Sequence, residues 1–134
     1  MCATNLYLLP SLVTALAVIL FMVVTKKVGG ARGRYKVAVP ATTGHPDFER
    51  YYRVQMNTLE ALVMFLPALW LFAVYVSPEG AGMLGFIWLI GRVLFARGYY
   101  IATEKRVVGF VISILASTVL VIGGMVGIVQ QLMA

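Results

Sequence analysis

Four long apolar runs are separated by short polar stretches. Leu6–Val24 carries no charge and stops at Lys26 and Lys27. The second run opens with polar residues at Phe48, becomes apolar beyond Glu60 and lasts to Val76. The third covers Ala81–Ile101 and the fourth Arg106–Met133. Each is close to the ~20 residues that a helix needs to cross a hydrocarbon layer of ~30 Å. The pattern predicts an all-α integral membrane protein, a four-helix bundle with spans near 5–26, 47–76, 81–101 and 105–132 in one domain of residues 1–134.

The stretches between the runs carry their own signals. Lys26–Asp47 reads as a long loop, because Gly29, Gly30, Gly33, Pro40, Gly44 and Pro46 interrupt helix repeatedly, and long loops are often functional. His45, the only histidine, lies between Gly44 and Pro46 and reads as a turn residue, with Asp47 as the cap of the helix that follows. Ser77–Gly80 reads as a tight turn, and Ala102–Lys105 as a second one. Pro67 is expected to bend the second helix midway. Ala15-Leu16-Ala17 has the form of a signal-peptidase site. The amino end lacks a basic region, however, and the apolar run continues past Ala17, so the first span reads as a retained helix. Gly91 with Gly98, Gly109 with Ser113 and Ser117, and Gly123 with Gly127 form rows of small residues where another helix can approach closely.

Composition agrees with a membrane protein. Hydrophobic residues make up 61% and charged ones 12%, about half the charge of a soluble domain. The basic residues fall in two places, Lys26–Arg53 and Arg92–Arg106, with no Lys or Arg before, between or after them. Such asymmetry marks cytoplasmic loops. It puts both basic loops in the cytoplasm and both termini, with the Glu79 turn, on the opposite side. The net charge is therefore a topology signal rather than a nucleic-acid one. Cys2 is the only cysteine, which rules out an intrachain disulfide and a thiolate metal site and leaves it a spectator.

One stretch does not fit a plain membrane helix. In Phe48–Glu60, the side chains of Arg50, Arg53, Asn57 and Glu60 fall within an arc of roughly 80° on a helix. An ordinary solvated first turn accounts for Glu49 and Arg50 but not for Glu60, two turns deeper among Leu59, Ala61 and Leu62. On the third helix, Arg92, Phe95, Ala96 and Tyr99 share a face. The two helices run in opposite directions, and Glu60 and Arg92 each lie about 10 Å deeper than Arg53 and Tyr99. Ionisable groups inside a span mark function by default, and these two should pair or share a polar ligand. With Arg53, Gln55, Asn57, Tyr99 and Arg106 above them, they outline a cationic pocket open to the cytoplasm and to lipid. It suits a small acidic ligand meeting an apolar one. No His/Cys/carboxylate set suits a metal, His45 has no partner serine for a triad, and no phosphate-loop or dinucleotide fingerprint occurs.

These same residues carry a resemblance. F-E-R-Y-Y-R-V-Q-M-N-T-L-E (Phe48–Glu60) resembles the signature of the MAPEG superfamily, the membrane-associated proteins of eicosanoid and glutathione metabolism. G-A-R-G-R-Y-K-V-A-V-P before it, and G-R-V-L-F-A-R-G-Y-Y with Lys105-Arg106 after it, are also similar to that family. The match covers roughly residues 30–110 and looks like the microsomal glutathione transferase branch in a bacterial form. The resemblance implies a homotrimer of four-helix subunits with glutathione as co-substrate, bound between neighbouring subunits. By position, Arg53, Asn57, Glu60, Arg92 and Tyr99 match glutathione contacts, and Gln55 matches one less closely. Arg32 matches a loop arginine that reaches the ligand from a neighbour. Arg106 matches the catalytic arginine that activates the thiol. No metal is implied.

The resemblance implies conjugation of glutathione to lipophilic electrophiles, with the same thiolate able to reduce lipid hydroperoxides. Phe95 and Ala61 stand where the leukotriene-forming branch has tyrosines, which argues against leukotriene synthesis and leaves general conjugation intact. Two other readings stay open: a non-catalytic lipid-binding scaffold of the same superfamily, and a small channel or transporter using Arg92 and Glu60 as a relay. The implied location is the bacterial inner membrane, or the endoplasmic reticulum in a eukaryote, with the site facing the cytoplasm.

Overall fold

The structure is a computed structural model of the single chain and describes residues 3–134. Cys2, read as a spectator, lies outside the described residues. After a four-residue turn of helix, α1 (Ala3–Leu6), come α2 (Leu8–Tyr35), α3 (Pro46–Tyr75) and α4 (Pro78–Ile101). A short 3-10 turn, Thr103–Arg106, leads into α5 (Val107–Met133). No strand occurs among the described residues. Four helices are long and apolar enough to cross a membrane. Large apolar side chains such as Leu12, Ile19, Ile90, Leu115 and Ile122 are exposed on the outer surface. Helices that are apolar on their outward faces as well suit a lipid surround.

The helix ends differ from the expected ones. α2 does not stop near Val24 but continues through Gly29, Gly30 and Gly33 to Tyr35, where Lys36 closes it in the left-handed conformation, φ 57°. Each helical glycine costs about 1 kcal/mol relative to alanine. Packing offsets that cost: Val28, Ala31, Val37 and Phe48 form a buried cluster flanked by Tyr35, Tyr51 and Tyr52. The first basic loop thus shrinks to Lys36–His45.

His45, not Asp47, caps α3. Its Nδ1 accepts the Asp47 backbone N–H at 3.1 Å. Pro46 occupies the first helical position, where its missing N–H costs nothing, and this moves the cap one residue ahead of it. Asp47 instead pairs with Arg50. α3 runs through Pro67 to Tyr75 without interruption. Ser77–Gly80, expected as a tight turn, is the cap and first turn of α4, with Ser77 Oγ accepting the Gly80 N–H at 3.0 Å.

The main core joins α2, α3, α4 and α5 through Val13, Ala17, Phe65, Leu69, Trp88 and Leu120. The Phe65 and Trp88 rings stack 4.0 Å apart. Nearer the 3-10 turn, α4 and α5 cross where Gly91 meets Gly109 and Ser113. Gly98 lies against the main chain of Lys105, so a side chain there would collide with the Lys105 carbonyl. This close approach fixes the 3-10 turn, and with it Arg106, beside Tyr99.

Candidate functional site

Arg92 anchors the polar interior. It is 1% exposed. Its Nη2 donates to Asn57 Oδ1 at 3.1 Å and to Thr58 Oγ1 at 2.9 Å, and its guanidinium lies 4.1 Å from the centre of the Phe95 ring. The expected direct pair with Glu60 does not form: Glu60 is exposed, and the salt bridge found among the described residues is Asp47–Arg50. Helical geometry supplies the reason. Glu60 is rotated about 60° from Asn57 and about 160° from Thr58 around α3, so Asn57 and Thr58 face α4 while Glu60 turns towards α5. Neutral acceptors also satisfy the guanidinium without desolvating a carboxylate.

Glu60 and Arg92 do share a cavity. Three spaces open around this point. The outer one, about 340 Å³, is lined by Arg53, Asn57, Glu60, Tyr99 and Arg106, with Met56, Phe95, Val107 and Phe110 as its apolar wall. A wider polar recess of about 450 Å³ adjoins it through Arg53 and Tyr99 and adds Glu49, Arg50 and Thr103. An inner chamber of about 320 Å³ shares Asn57, Glu60 and Phe110 with the outer cavity and reaches Arg92, Trp88, Ser113 and Ser117.

Arg106 is half-buried. Its Nη1 donates to the Thr103 carbonyl at 2.7 Å, and its guanidinium sits 5.7 Å from the centre of the Tyr99 ring. Lys105, its neighbour in sequence, is exposed and does not line the outer cavity. Two adjacent basic residues are thereby separated into one that faces the cavity and one that faces outward.

Five of the residues marked in the sequence therefore meet in one space: Arg53, Asn57, Glu60, Tyr99 and Arg106. Three do not. Arg92 lies beneath and touches the group through Asn57. Gln55 turns to α2, where its Nε2 donates to Thr25 Oγ1 at 3.3 Å. Arg32 ties the loop of its own chain: Nη1 donates to the Ala41 carbonyl at 2.8 Å, and the guanidinium covers the Phe48 ring. Nothing in the sequence marks Thr58, because a β-branched residue on an apolar helix resembles packing. Ser113 and Ser117, spaced in the sequence as helix-packing residues, also line the inner chamber. Among the described residues, no cluster of His, Cys, Asp and Glu could hold a metal.

The pattern of the MAPEG family matches residues 10–126. The chain belongs to the MAPEG family. It is 55% identical over 123 residues to an uncharacterized protein of Synechocystis sp., covering 92% of this chain and 90% of that one. It is 39% identical over 105 residues to human microsomal glutathione S-transferase 2, covering 78% and 71% of the two chains. Bovine leukotriene C4 synthase is 35% identical over 94 residues, 70% of this chain and 63% of the synthase. Family and helices together make this MAPEG protein an integral, multi-pass membrane bundle.

Proposed function

We propose that this MAPEG protein is a membrane-bound glutathione transferase. The observation that carries the reading is the joining of Arg53, Asn57, Glu60, Tyr99 and Arg106 in one cavity whose remaining wall is apolar. Glutathione brings two carboxylates, an amino group and a thiol. The Arg53 guanidinium and the Asn57 amide suit the carboxylates and the peptide, and the Glu60 carboxylate suits the amino group. Arg106 is left for the sulfur.

A thiol of pKa about 8.5 is mostly protonated at neutral pH, whereas the thiolate is the nucleophile. Lowering that pKa by about two units takes roughly 2.7 kcal/mol of preferential thiolate stabilisation. A fixed guanidinium in a partly desolvated site supplies this order of energy. The thiolate attacks a lipophilic electrophile arriving from the bilayer along the Val107–Phe110 side, forming the C–S bond while a leaving group such as halide departs with its bonding pair, a detoxifying conjugation. The same thiolate would reduce a lipid hydroperoxide to the alcohol, taking its outer oxygen as a sulfenic acid that a second glutathione resolves to the disulfide with loss of water. Arg92 serves by orienting Asn57. The reading includes one domain over residues 1–134, a homotrimer in which Arg32 reaches a neighbour's ligand, and a site open to the cytoplasm.

The test is glutathione-dependent turnover of an aryl halide and of a lipid hydroperoxide by the detergent-purified protein. Turnover of either supports the reading. Lipid binding without turnover would favour a scaffold, and conductance in bilayers without glutathione binding would favour a channel.

A further inference from the structure

The outer side of α2 and α4 carries cations that the chemistry above leaves unused. The two helices run parallel: Leu9 packs on Gly82 near one end, and Lys27 meets Tyr100 near the other. The Lys27 ammonium lies over the Tyr100 ring, 5.3 Å from its centre. Tyr100 stacks on Tyr51 at 4.3 Å, and Tyr35 follows at 6.5 Å from Tyr51. Arg34 ends the row, 5.9 Å from the centre of the Tyr35 ring. Arg97 lies nearly one turn before Tyr100, rotated from it by about 60°. Lys27, Arg34 and Arg97 are exposed, and among the described residues none of them has a carboxylate partner.

Depth gives this patch its meaning. Counted from Leu8 and from Pro78, where the two helices begin, Lys27 and Arg97 each stand about 28 Å along the axis. The hydrocarbon layer is ~30 Å thick. Both cations therefore stand at its edge, level with lipid phosphates, and the tyrosines occupy the interfacial position that such rings favour. Beneath them the surface is apolar and exposed, through Val23 on α2 and Val93 and Ile90 on α4. Arg34 is about 10 Å further out than Lys27 and within about 20° of it around α2. Arg32 lies about 140° round the same helix from Lys27, so the patch is on the flank away from the proposed contact with a neighbouring subunit.

We propose that this face binds an anionic phospholipid, with Lys27 and Arg97 on its phosphate, the tyrosine row beside its headgroup and an acyl chain along Val23, Val93 and Ile90. Arg34 faces the outer part of the headgroup. A soluble anion would meet the cations but not the apolar surface below them, and a neutral lipid would meet the surface but leave the cations without a counter-charge. One molecule with both parts satisfies both. The inference stands apart from the transferase reading, since none of these residues lines the outer cavity.

The experiment offers the protein, in mixed micelles of a neutral detergent at low salt, equal amounts of phosphatidylglycerol and phosphatidylcholine with the same acyl chains. Bound lipid is counted by native mass spectrometry. At the usual worth of a basic residue near a lipid surface, two cations should favour phosphatidylglycerol by about 30-fold. In the double variant Lys27→Gln, Arg97→Gln the ratio should fall to about one. If that variant does not fold, the single variants carry the test, each lowering the ratio about fivefold. Lys36→Gln with Lys105→Gln removes the same charge elsewhere and should leave the ratio as in the parent. No preference in the parent, or equal losses from the two double variants, overturns the site. Displacement of phosphatidylglycerol by glycerol phosphate at equal concentration would also overturn it, because the acyl chain would then contribute nothing.

Discussion

Gly98 gives the sharpest handle on how the fold serves the chemistry. A Cβ added there would lie 2.9 Å from the Lys105 carbonyl carbon and still closer to its oxygen. Non-bonded carbons settle at about 3.5–4.0 Å, so Gly98→Ala must push the 3-10 turn back by about 1 Å. Overpacking of this kind costs about 1–3 kcal/mol of stability. A 1 Å misplacement of a positioned group can cost about 100-fold in rate. Arg106 moves with the turn, whereas Arg53, Asn57 and Glu60 are carried by α3. The expected result is a kcat lower by about two orders of magnitude and loss of the thiolate absorbance of bound glutathione, with a much smaller change in glutathione affinity. Gly82→Ala is the control. Its Cβ would meet Leu9 Cβ at 2.5 Å, a comparable overpacking about 24 Å away along α4, and kcat should hold. Full turnover with an unchanged thiolate signal in Gly98→Ala, or equal losses from both substitutions, would refute the positioning of Arg106 by this contact.

Two further outcomes are expected. His45→Ala removes the acceptor at the start of α3 and its stacking on Tyr35, and should cost about 1 kcal/mol, read as a lower Tm in detergent; an unchanged Tm would mean that the cap contributes nothing. The distribution of Lys and Arg predicts Gly44 on the cytoplasmic side and Ala134 on the opposite one. Labelling of single cysteines at the two positions checks this, and protection at Gly44 with cytoplasmic access at Ala134 would reverse the topology.

The four membrane helices were legible because spans need long apolar runs and little else competes with that signal. The polar stripe was legible for a geometric reason: Arg53, Asn57 and Glu60 at spacings of four and three must share a helix face, wherever that face points. What the face points at was not legible. A rotation of about 60° between Asn57 and Glu60 decides that Arg92 bonds the amide and the Thr58 hydroxyl rather than the carboxylate. Gln55, from the same signature, faces Thr25 on α2. The extension of α2 was hidden because local propensity at Gly29, Gly30 and Gly33 argues against helix, and the burial that overrides it comes from Phe48, far along the chain. The difference between Lys105 and Arg106 depends on how the turn seats on Gly98, which no local pattern encodes.

That difference is also where the proposed mechanism is most exposed. The ultraviolet absorbance of the thiolate of bound glutathione at neutral pH should be present in the parent and in Lys105→Ala, and absent in Arg106→Ala. Glutathione should still bind the Arg106 variant, because Arg53, Asn57 and Glu60 remain. Turnover there should fall about 100-fold if about 2.7 kcal/mol of thiolate stabilisation is lost, and should recover in part as rising pH ionises the thiol unaided. Equal loss of the signal in Lys105→Ala and Arg106→Ala would mean that general positive potential, not a guanidinium facing the cavity, governs the thiol, and would contradict the assignment of Arg106.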